Sequence, residues 1–227
     1  MDSKNNKIKA VIFDMDGVLV DTETLKFKAY QKLLEKIHGV KSFSLFNRYG
    51  WQGRTEEHNA EYFIKKYYLS VKIEEFIKEK RSIYQALLGK ELKLIDGIRD
   101  LLDWLSDKKW PLALATSTNK KSMDYIMKKF DLGRYFISKL SKEDVSNHKP
   151  APDVYLKSAE ILKVQPNTCL MFEDTPTGIE AAKRAGMKCI AITTTYTKEY
   201  LSQADLIIDS YQQLDMNNLG ALIKNNN

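Results

Sequence analysis

The chain has 227 residues, which is enough for one sizeable hydrophobic core and a small second lobe. Hydrophobic residues make up 43% and charged residues 29%, and no apolar run approaches the length of a membrane span. These features predict a soluble globular protein without a membrane partner. The net charge of +6 comes from lysines interspersed with acids, which favours a solvated surface and argues against nucleic acid as a partner.

The first predicted element is a buried strand at residues 8–13 (IKAVIF), which Asp14 and Asp16 follow directly. Carboxylates at positions i and i+2 of an extended chain point to the same side. Two like charges held together cost free energy unless a positive group lies between them. A strand that ends in an Asp-Gly turn is one interpretation, and a metal or phosphoryl site is the other.

The next segment, from about residue 22 to residue 93, carries no strand signal and predicts helices. The candidate helices are Leu25–Ile37, Thr55–Tyr67 and Ile73–Leu88, with a turn around Phe43–Tyr49. We therefore expect a helical cap domain of residues 22–93 inserted after the first strand into a core domain of residues 1–21 and 94–227. An insertion at that point would cover the crevice in which open α/β sheets bind ligands.

The rest of the chain alternates short apolar runs with helical patterns. Strands are predicted at residues 111–116, 136–140, 169–173, 189–193 and 206–209. Helices are predicted from Asp96, from Asn119 to about Gly133, from Pro152, and from Thr175 to Gly186. This alternation predicts an α/β fold with a doubly wound parallel, Rossmann-like sheet.

Polar residues follow the predicted strand ends. Residues 116–119 (TSTN) follow one strand, residues 173–174 (Glu-Asp) end another, and a proline-flanked loop between them carries Lys149. In a parallel sheet the strand C-termini share one edge, so these groups should converge with Asp14 and Asp16. Oxygen ligands without histidine or cysteine suit Mg²⁺, and hydroxyls and amides at a helix start suit a phosphoryl oxygen. The arrangement indicates phosphoryl transfer.

Four segments resemble the motifs of the haloacid dehalogenase superfamily, in chain order and at suitable spacing. They are DMDGVLVDT, ALATSTN, HKPAPD and FEDTPTGIEAAKRAG. The helical insert resembles the type C1 cap of the β-phosphoglucomutase-like and small-molecule phosphatase branch. The resemblance covers about residues 8–209, the cap only weakly, and four motifs in order are far more specific than any one of them.

The resemblance implies a role for each motif residue. Asp14 would be the nucleophile that attacks phosphorus and forms an aspartyl-phosphate, and Asp16 would be the general acid and base. Thr116 would donate a hydrogen bond to the phosphoryl group, although it could instead cap the following helix. Lys149 would stabilise the equatorial phosphoryl oxygens.

The resemblance also implies a Mg²⁺ cofactor. Its ligands would be Asp14, the backbone carbonyl of Asp16 and Asp174, with Glu173 binding directly or through water. Glu173 has a second interpretation, because one of two adjacent carboxylates at a strand end can serve to hold the loop.

Further residues would contact the substrate. They are Ser117, Thr118 and Asn119 in the core, and Gly53, Arg54 and Thr55 in the cap. The cap loop WQGRT resembles the family's substrate loop, but a helix start capped by Thr55 explains the same residues. Lys80 and Arg81, on a cap helix, would face either the cleft or water, and exposure is the usual state of such residues.

The predicted function is hydrolysis of a small phosphorylated metabolite, such as a sugar, polyol or nucleoside phosphate, by a monomer. A dehalogenase needs no acid two residues after the nucleophile, so Asp16 favours a phosphate ester. β-Phosphoglucomutases typically have a histidine in the pattern Asp-Thr-x-x-x-His, where this chain has Lys26, which places mutase activity second. Phosphonoacetaldehyde hydrolysis is third, and a non-catalytic phosphate-binding regulatory module is the alternative of another class.

Two features bear on the cellular compartment. The N-terminal segment lacks the apolar core of a signal peptide. Cys169 and Cys189 lie in apolar runs without the spacing of a metal site. We expect a cytoplasmic protein with reduced thiols.

Overall fold

A computed structural model describes residues 7–40, 55–215 and 219. These residues divide into two compact units. The first contains the described parts of Met1–Val20 and Leu94–Asn227, and the second those of Asp21–Lys93. Asp21, which the sequence assigned to the core segment, lies in the second unit, where its side chain accepts a hydrogen bond from Thr24 N at 3.0 Å and caps a helix. The predicted turn at Phe43–Tyr49 lies outside the described residues.

The first unit contains a parallel sheet in the order β3-β2-β1-β4-β5-β6. Its strands are β1 (Ala10–Phe13), β2 (Leu112–Ala115), β3 (Ser138–Leu140), β4 (Cys169–Glu173), β5 (Lys188–Ile192) and β6 (Leu206–Ile208). Each pair of neighbouring strands in this sheet is parallel, and all four residues of β1 are buried, as expected for a strand covered on both faces. The predicted α/β fold with a doubly wound parallel sheet is confirmed.

The second unit is helical where the structure describes it. Its helices are α1 (Thr22–Lys32), continued by a π-helical turn (Leu33–Ile37), α2 (Glu56–Lys66) and α3 (Ile73–Glu91). They enclose an aromatic cluster in which the ring of Phe63 lies 4.9 Å from that of Tyr30 and 6.5 Å from that of Phe76, centroid to centroid. Such aromatic contacts give a small helical unit a large buried area for its size.

Helices of the first unit connect the strands. They are α4 (Ile98–Asp107), α5 (Lys120–Lys129), α6 (Asp153–Ile161) and α7 (Pro176–Arg184). The start of α7 follows the predicted pattern, because Thr175 Oγ1 accepts a hydrogen bond from Gly178 N at 3.1 Å and Pro176 occupies the first helical position. Among the described helices, none combines the length and apolarity needed to cross a bilayer.

Packing across the sheet fixes the strand ends that carry the polar residues. Phe13 at the end of β1 stacks on Phe172 of β4 with ring centroids 4.9 Å apart. The two residues are also register partners, and Asp14 N donates to Phe172 O at 3.0 Å. Asp14 and Glu173, the residues that follow this pair in the sequence, are therefore held side by side at the C-terminal edge of the sheet.

Candidate active site

Lys149 lies at the centre of the predicted site. Its Nζ is 2.6 Å from Asp14 Oδ1, 2.7 Å from Glu173 Oε1 and 3.4 Å from the carbonyl oxygen of Ala115. The side chains are almost withdrawn from water, with 7% of Lys149, 9% of Asp14 and 1% of Glu173 exposed. One ammonium thus lies between two buried carboxylates from neighbouring strands.

The charges in this group act on one another. The pKa of Asp14 is raised from its ordinary 3.8 to about 7, chiefly because burial penalises the charged form; Lys149 lowers it, whereas the charges of Glu173 and Asp16 raise it. Burial alone would lower the pKa of Lys149, but the two carboxylates raise it above its ordinary value. Burial would likewise raise the pKa of Glu173, yet Lys149 and several hydrogen bonds hold it below its usual range. Asp14 is therefore the group whose charge is least well compensated.

Glu173 accepts hydrogen bonds at both carboxylate oxygens. Oε1 accepts from Lys149 and, at 2.6 Å, from the hydroxyl of Tyr155. Oε2 accepts from the backbone N–H groups of Asp174 and Thr175 at 2.9 and 3.1 Å and from Thr175 Oγ1 at 3.0 Å. The side chain is turned into the protein and holds Lys149 and the loop after β4.

The contacts of Glu173 bear on the predicted metal ligands. Among the described residues, no three His, Cys, Asp or Glu side chains are placed to hold one metal ion. Donors from the protein surround both carboxylate oxygens of Glu173, and its role as a metal ligand, direct or through water, stays a prediction. Its alternative interpretation, a carboxylate that holds the loop, matches the observed contacts.

The remaining donor set fits a hard divalent cation. Asp14 and Asp174 follow neighbouring strands, and both residues are buried. Both carboxylates also act on Tyr211, whose pKa burial raises and their negative charges raise further. Mg²⁺ binds proteins through one or two carboxylates while keeping several waters and taking phosphate oxygens. Two buried carboxylates and a backbone carbonyl therefore match this ion, whereas a cage of four carboxylates would not be needed.

The loop after β2 contacts the second aspartate of the first motif. Thr118 Oγ1 donates to Asp16 Oδ2 at 2.5 Å, and Thr118 N donates to Thr116 Oγ1 at 3.1 Å. Thr116 is 2% exposed and its N–H donates to Leu140 O at 2.9 Å. The hydroxyl of Thr116 therefore stabilises the loop by accepting a backbone hydrogen bond, and the hydroxyl of Thr118 connects the loop to Asp16.

Helix capping in this loop is done by Asn119, whose Oδ1 accepts from Ser122 N at 2.9 Å at the start of α5. The alternative in which Thr116 caps the helix is therefore wrong. Ser117 is exposed to solvent. Of the residues predicted to bind substrate in the core, Ser117 is the exposed one, Thr118 contacts Asp16 and Asn119 holds the helix start.

In the second unit, Thr55 caps α2 by accepting a hydrogen bond from His58 N at 3.2 Å. This is the helix-start interpretation of that loop. Gly53 and Arg54, predicted to contact substrate, lie outside the described residues. Lys26, which stands where the mutase pattern has histidine, forms an ion pair with Glu23 on α1.

The two cap cations differ in their surroundings. Lys80 is 6% exposed, its Nζ is 2.9 Å from Glu56 Oε1, and it lies 5.2 Å from the ring centroid of Tyr30. Arg81 is paired with the other oxygen of Glu56 at 2.7 Å, but 61% of its side chain is exposed. The usual state, exposure, therefore holds for Arg81 and fails for Lys80.

Three site residues were missed by the sequence interpretation. Tyr155 donates to Glu173, Thr195 Oγ1 donates to Asp174 Oδ2, and Thr194 Oγ1 donates to Gly17 O at 2.5 Å. A signal for the threonines was present, because residues 193–195 (TTT) follow β5 as residues 116–119 follow β2. Tyr155 gave no comparable signal, since an aromatic residue on a helix usually means core packing.

Comparisons with known proteins agree with this geometry. The model of the haloacid dehalogenase-like hydrolases matches residues 11–192. A phosphorylated carbohydrates phosphatase of Thermotoga maritima is 35% identical over 183 residues, covering 81% of this chain and 84% of that protein. The mitochondrial (DL)-glycerol-3-phosphatase 1 of Arabidopsis thaliana is 32% identical over 219 residues, covering 92% of this chain and 72% of that protein.

A solved structure shows the same fold over nearly the whole chain. The crystal structure of β-phosphoglucomutase from Clostridium difficile superposes with a TM-score of 0.73 at 27% identity, covering 96% of this chain and 97% of that one. The residues matched by the family model include the ends of β1, β2 and β4 described above. The chain therefore belongs to the haloacid dehalogenase-like hydrolase family, in the branch of small-molecule phosphatases and β-phosphoglucomutase-like proteins.

Proposed function

We propose that this enzyme is a Mg²⁺-dependent phosphatase that hydrolyses a small phosphomonoester through an aspartyl-phosphate on Asp14. The observation that carries the proposal is the position of Lys149 Nζ, 2.6 Å from Asp14 Oδ1 and 2.7 Å from Glu173 Oε1, at the sheet edge where Thr118 contacts Asp16. A nucleophile, a cation for the phosphoryl oxygens and an acid are thereby close to one another. Such positioning and charge account for most of the rate in phosphoryl transfer.

Asp14 is the nucleophile in this proposal. A carboxylate oxygen of Asp14 attacks phosphorus, and the bond from phosphorus to the leaving oxygen breaks. Attack needs the ionised carboxylate, and the pKa of about 7 leaves a part of the population protonated at neutral pH. When bound, Mg²⁺ supplies positive charge that favours the ionised carboxylate and offsets the charge of the phosphoryl group.

Asp16 moves the protons. It gives its proton to the leaving oxygen, which departs as an alcohol, and then accepts a proton from the water that attacks the phosphoryl group on Asp14. The bond between phosphorus and the Asp14 oxygen breaks in that second step, which restores the carboxylate and releases inorganic phosphate. The hydrogen bond from Thr118 Oγ1 supports this role because it fixes the orientation of the Asp16 carboxyl group.

In this proposal Thr116 and Lys149 bind the phosphoryl group. Thr116 Oγ1 accepts a hydrogen bond from Thr118 N, so its own proton is directed to another acceptor, which we assign as a phosphoryl oxygen. Lys149 would donate to a second oxygen. Glu173 acts as the residue that positions Lys149 and not as a ligand, while Asp14, the Asp16 carbonyl and Asp174 would hold the metal.

The names of the relatives suggest the substrate class. Proteins similar to this chain are named as phosphatases of phosphorylated carbohydrates and of glycerol 3-phosphate. We propose a sugar, polyol or nucleoside phosphate, with the Asp21–Lys93 unit as the cap domain that selects it. Mutase activity stays second, because Lys26 replaces the mutase histidine and is paired with Glu23.

The experiment is a screen of phosphorylated metabolites with Mg²⁺, in which inorganic phosphate is measured and the products that keep their phosphate are identified by ³¹P NMR. Asp14→Asn serves as the inactive control. We expect phosphate release by the wild type that EDTA abolishes. Conversion of β-glucose 1-phosphate to glucose 6-phosphate would favour the mutase, and no turnover on any ester would favour the phosphate-binding module.

A further inference from the structure

We infer that Thr194 and Thr195, directly after β5, are positioning residues that set the affinity of the site for Mg²⁺. Thr195 orients the carboxylate of Asp174, and Thr194 holds the backbone at Gly17, next to Asp16. The inference rests on the proposed function, because Asp174 and the Asp16 carbonyl are ligands only in that proposal.

The contact of Thr195 with Asp174 is buried. Thr195 is 5% exposed and Asp174 is 1% exposed, and Thr195 Oγ1 donates to Asp174 Oδ2. A hydroxyl that donates to a carboxylate away from water forms a strong, directional bond. Because the donor comes from the loop after β5 and the acceptor from the loop after β4, the bond fixes the rotation of the Asp174 carboxylate relative to the sheet.

The neighbouring threonine holds the loop after β1. Thr194 Oγ1 donates to Gly17 O at 2.5 Å, and Gly17 N donates to Val20 O at 2.8 Å. Gly17 has φ of 74°, and a Cβ atom at this position would overlap Asp174 Oδ2 and lie 2.7 Å from Thr195 Oγ1. The glycine is therefore needed for the close approach of these three groups.

Consecutive residues of the loop after β5 therefore donate hydrogen bonds to the loop after β1 and to the loop after β4. Thr194 donates to the carbonyl of Gly17, the residue that follows Asp16, and Thr195 donates to Asp174, so the two threonines restrict how the loops after β1 and β4 face each other. Hydrogen bonds that orient metal ligands typically change metal affinity by about 10- to 100-fold. The third threonine of the run, Thr193, donates instead to Asp209 at 2.9 Å at the surface and takes no part.

The test compares Thr195→Val, Thr195→Ser, Thr194→Val and Thr193→Val in the full chain. Valine preserves the shape and removes the hydroxyl, serine preserves the hydroxyl, and Thr193 is the matched control in the same loop. Mg²⁺ binding to each metal-free protein is measured by calorimetry and by the rise in melting temperature with added Mg²⁺.

We expect Thr195→Val to weaken Mg²⁺ binding by about tenfold or more, the range for residues that orient metal ligands. Thr194→Val should weaken it less, and Thr195→Ser and Thr193→Val should match the wild type. The Mg²⁺ concentration for half-maximal hydrolysis should rise in Thr195→Val, while the substrate KM and the kcat at saturating Mg²⁺ stay close to wild type. If Thr195 had only a structural role, its substitution would not change the Mg²⁺ dependence while leaving KM and kcat unchanged.

The outcomes separate this inference from the proposed function. If the wild-type protein neither binds Mg²⁺ nor hydrolyses any ester, the proposed function is wrong. A wild type that binds Mg²⁺, with Thr195→Val and Thr193→Val equal to it, overturns only the role of the threonines. If Thr195→Val does not fold, Thr194→Val decides, and unchanged Mg²⁺ affinity in that variant also counts against the inference.

Discussion

The ammonium of Lys149 lies 2.6 Å from the carboxylate of Asp14, although 135 positions separate them in the chain. Glu173 shares the same ammonium at 2.7 Å, so the three ionised side chains carry a net charge of −1. Burying an uncompensated negative charge is costly. A further positive group bound at this site would offset that charge.

Replacing Lys149 with an uncharged residue should lower the free energy of unfolding. Lys149→Met keeps most of the volume but leaves Asp14 and Glu173 buried together without a counter-charge. Breaking a buried ion pair in this way costs about 3–5 kcal/mol. Urea denaturation should show that loss, and hydrolysis should be undetectable. Lys157→Met is the control, because Lys157 Nζ contacts a surface carbonyl of Asp144 at 2.6 Å and its loss should stay within about 0.5 kcal/mol. Equal stability of the two variants would contradict the arrangement.

Removing the negative charge of Asp14 should stabilise the metal-free protein. Burial raises the pKa of Asp14 from 3.8 to about 7. At pH values between these two, the folded state therefore holds a proton that the unfolded state has lost. The stabilising contribution is complete below about pH 4 and is lost as pH rises through 7. With about 1.4 kcal/mol per pKa unit, up to about 4 kcal/mol is lost.

This pH dependence is measured with Asp14→Asn and wild type in EDTA, by denaturation between pH 4 and pH 9. The asparagine variant should match the wild type near pH 4 and exceed it at pH 8, because it has no charge to bury. Saturating Mg²⁺ should then favour the wild type, which keeps the ligand. A less stable Asp14→Asn in EDTA at pH 8 would be inconsistent with the raised pKa.

Tyr155 should contribute to stability through one hydroxyl. Tyr155→Phe keeps the ring, whose centroid lies 4.8 Å from Lys149 Nζ, and removes the hydrogen bond to Glu173. Loss of a buried partner of a carboxylate costs about 1–3 kcal/mol. Thermal and urea denaturation should show this cost. It should exceed that of Tyr211→Phe, which loses a hydrogen bond to the uncharged carbonyl of Val18, and equal costs would argue against a charged Glu173.

Substitution of Thr118 can distinguish two roles. The resemblance assigns it to substrate binding, whereas in the structure it donates a hydrogen bond to Asp16. Thr118→Val removes the donor that orients the Asp16 carboxyl group, and one hydrogen bond is worth about 0.5–1.5 kcal/mol. We expect kcat to fall by about tenfold or more with KM little changed, and Thr118→Ser to restore it. A rise in KM with unchanged kcat would instead support Thr118 as a substrate-binding residue.

The strands could be predicted because buried strands consist mainly of apolar residues. β1 and β4 are covered on both faces, so they appear as continuous apolar runs that end abruptly in Asp14 and Glu173. The edge at which the strand ends meet follows from the parallel arrangement alone. The contact of Lys149 with Asp14 agrees with that expectation, while the catalytic roles of both residues remain predictions.

Side-chain environment was harder to predict. Lysine is usually exposed, and only the folded helices show that Lys80 is buried against Glu56 and Tyr30. Glu173 and Asp174 are neighbours in sequence with the same chemistry, yet the first turns inward to Lys149 and the second to Thr195. Sequence spacing cannot distinguish them, because the difference arises from donors supplied by distant segments.

The amino-acid sequence by itself determined the order of strands and helices, the parallel sheet and the group of polar residues at its edge, since periodicity and burial act locally along each element. The tertiary structure alone decided which carboxylate faces a cation, which faces a hydroxyl and which tyrosine completes the group. Those contacts depend on side chains brought together from separate strands, and their free energies exist only once the strands are paired.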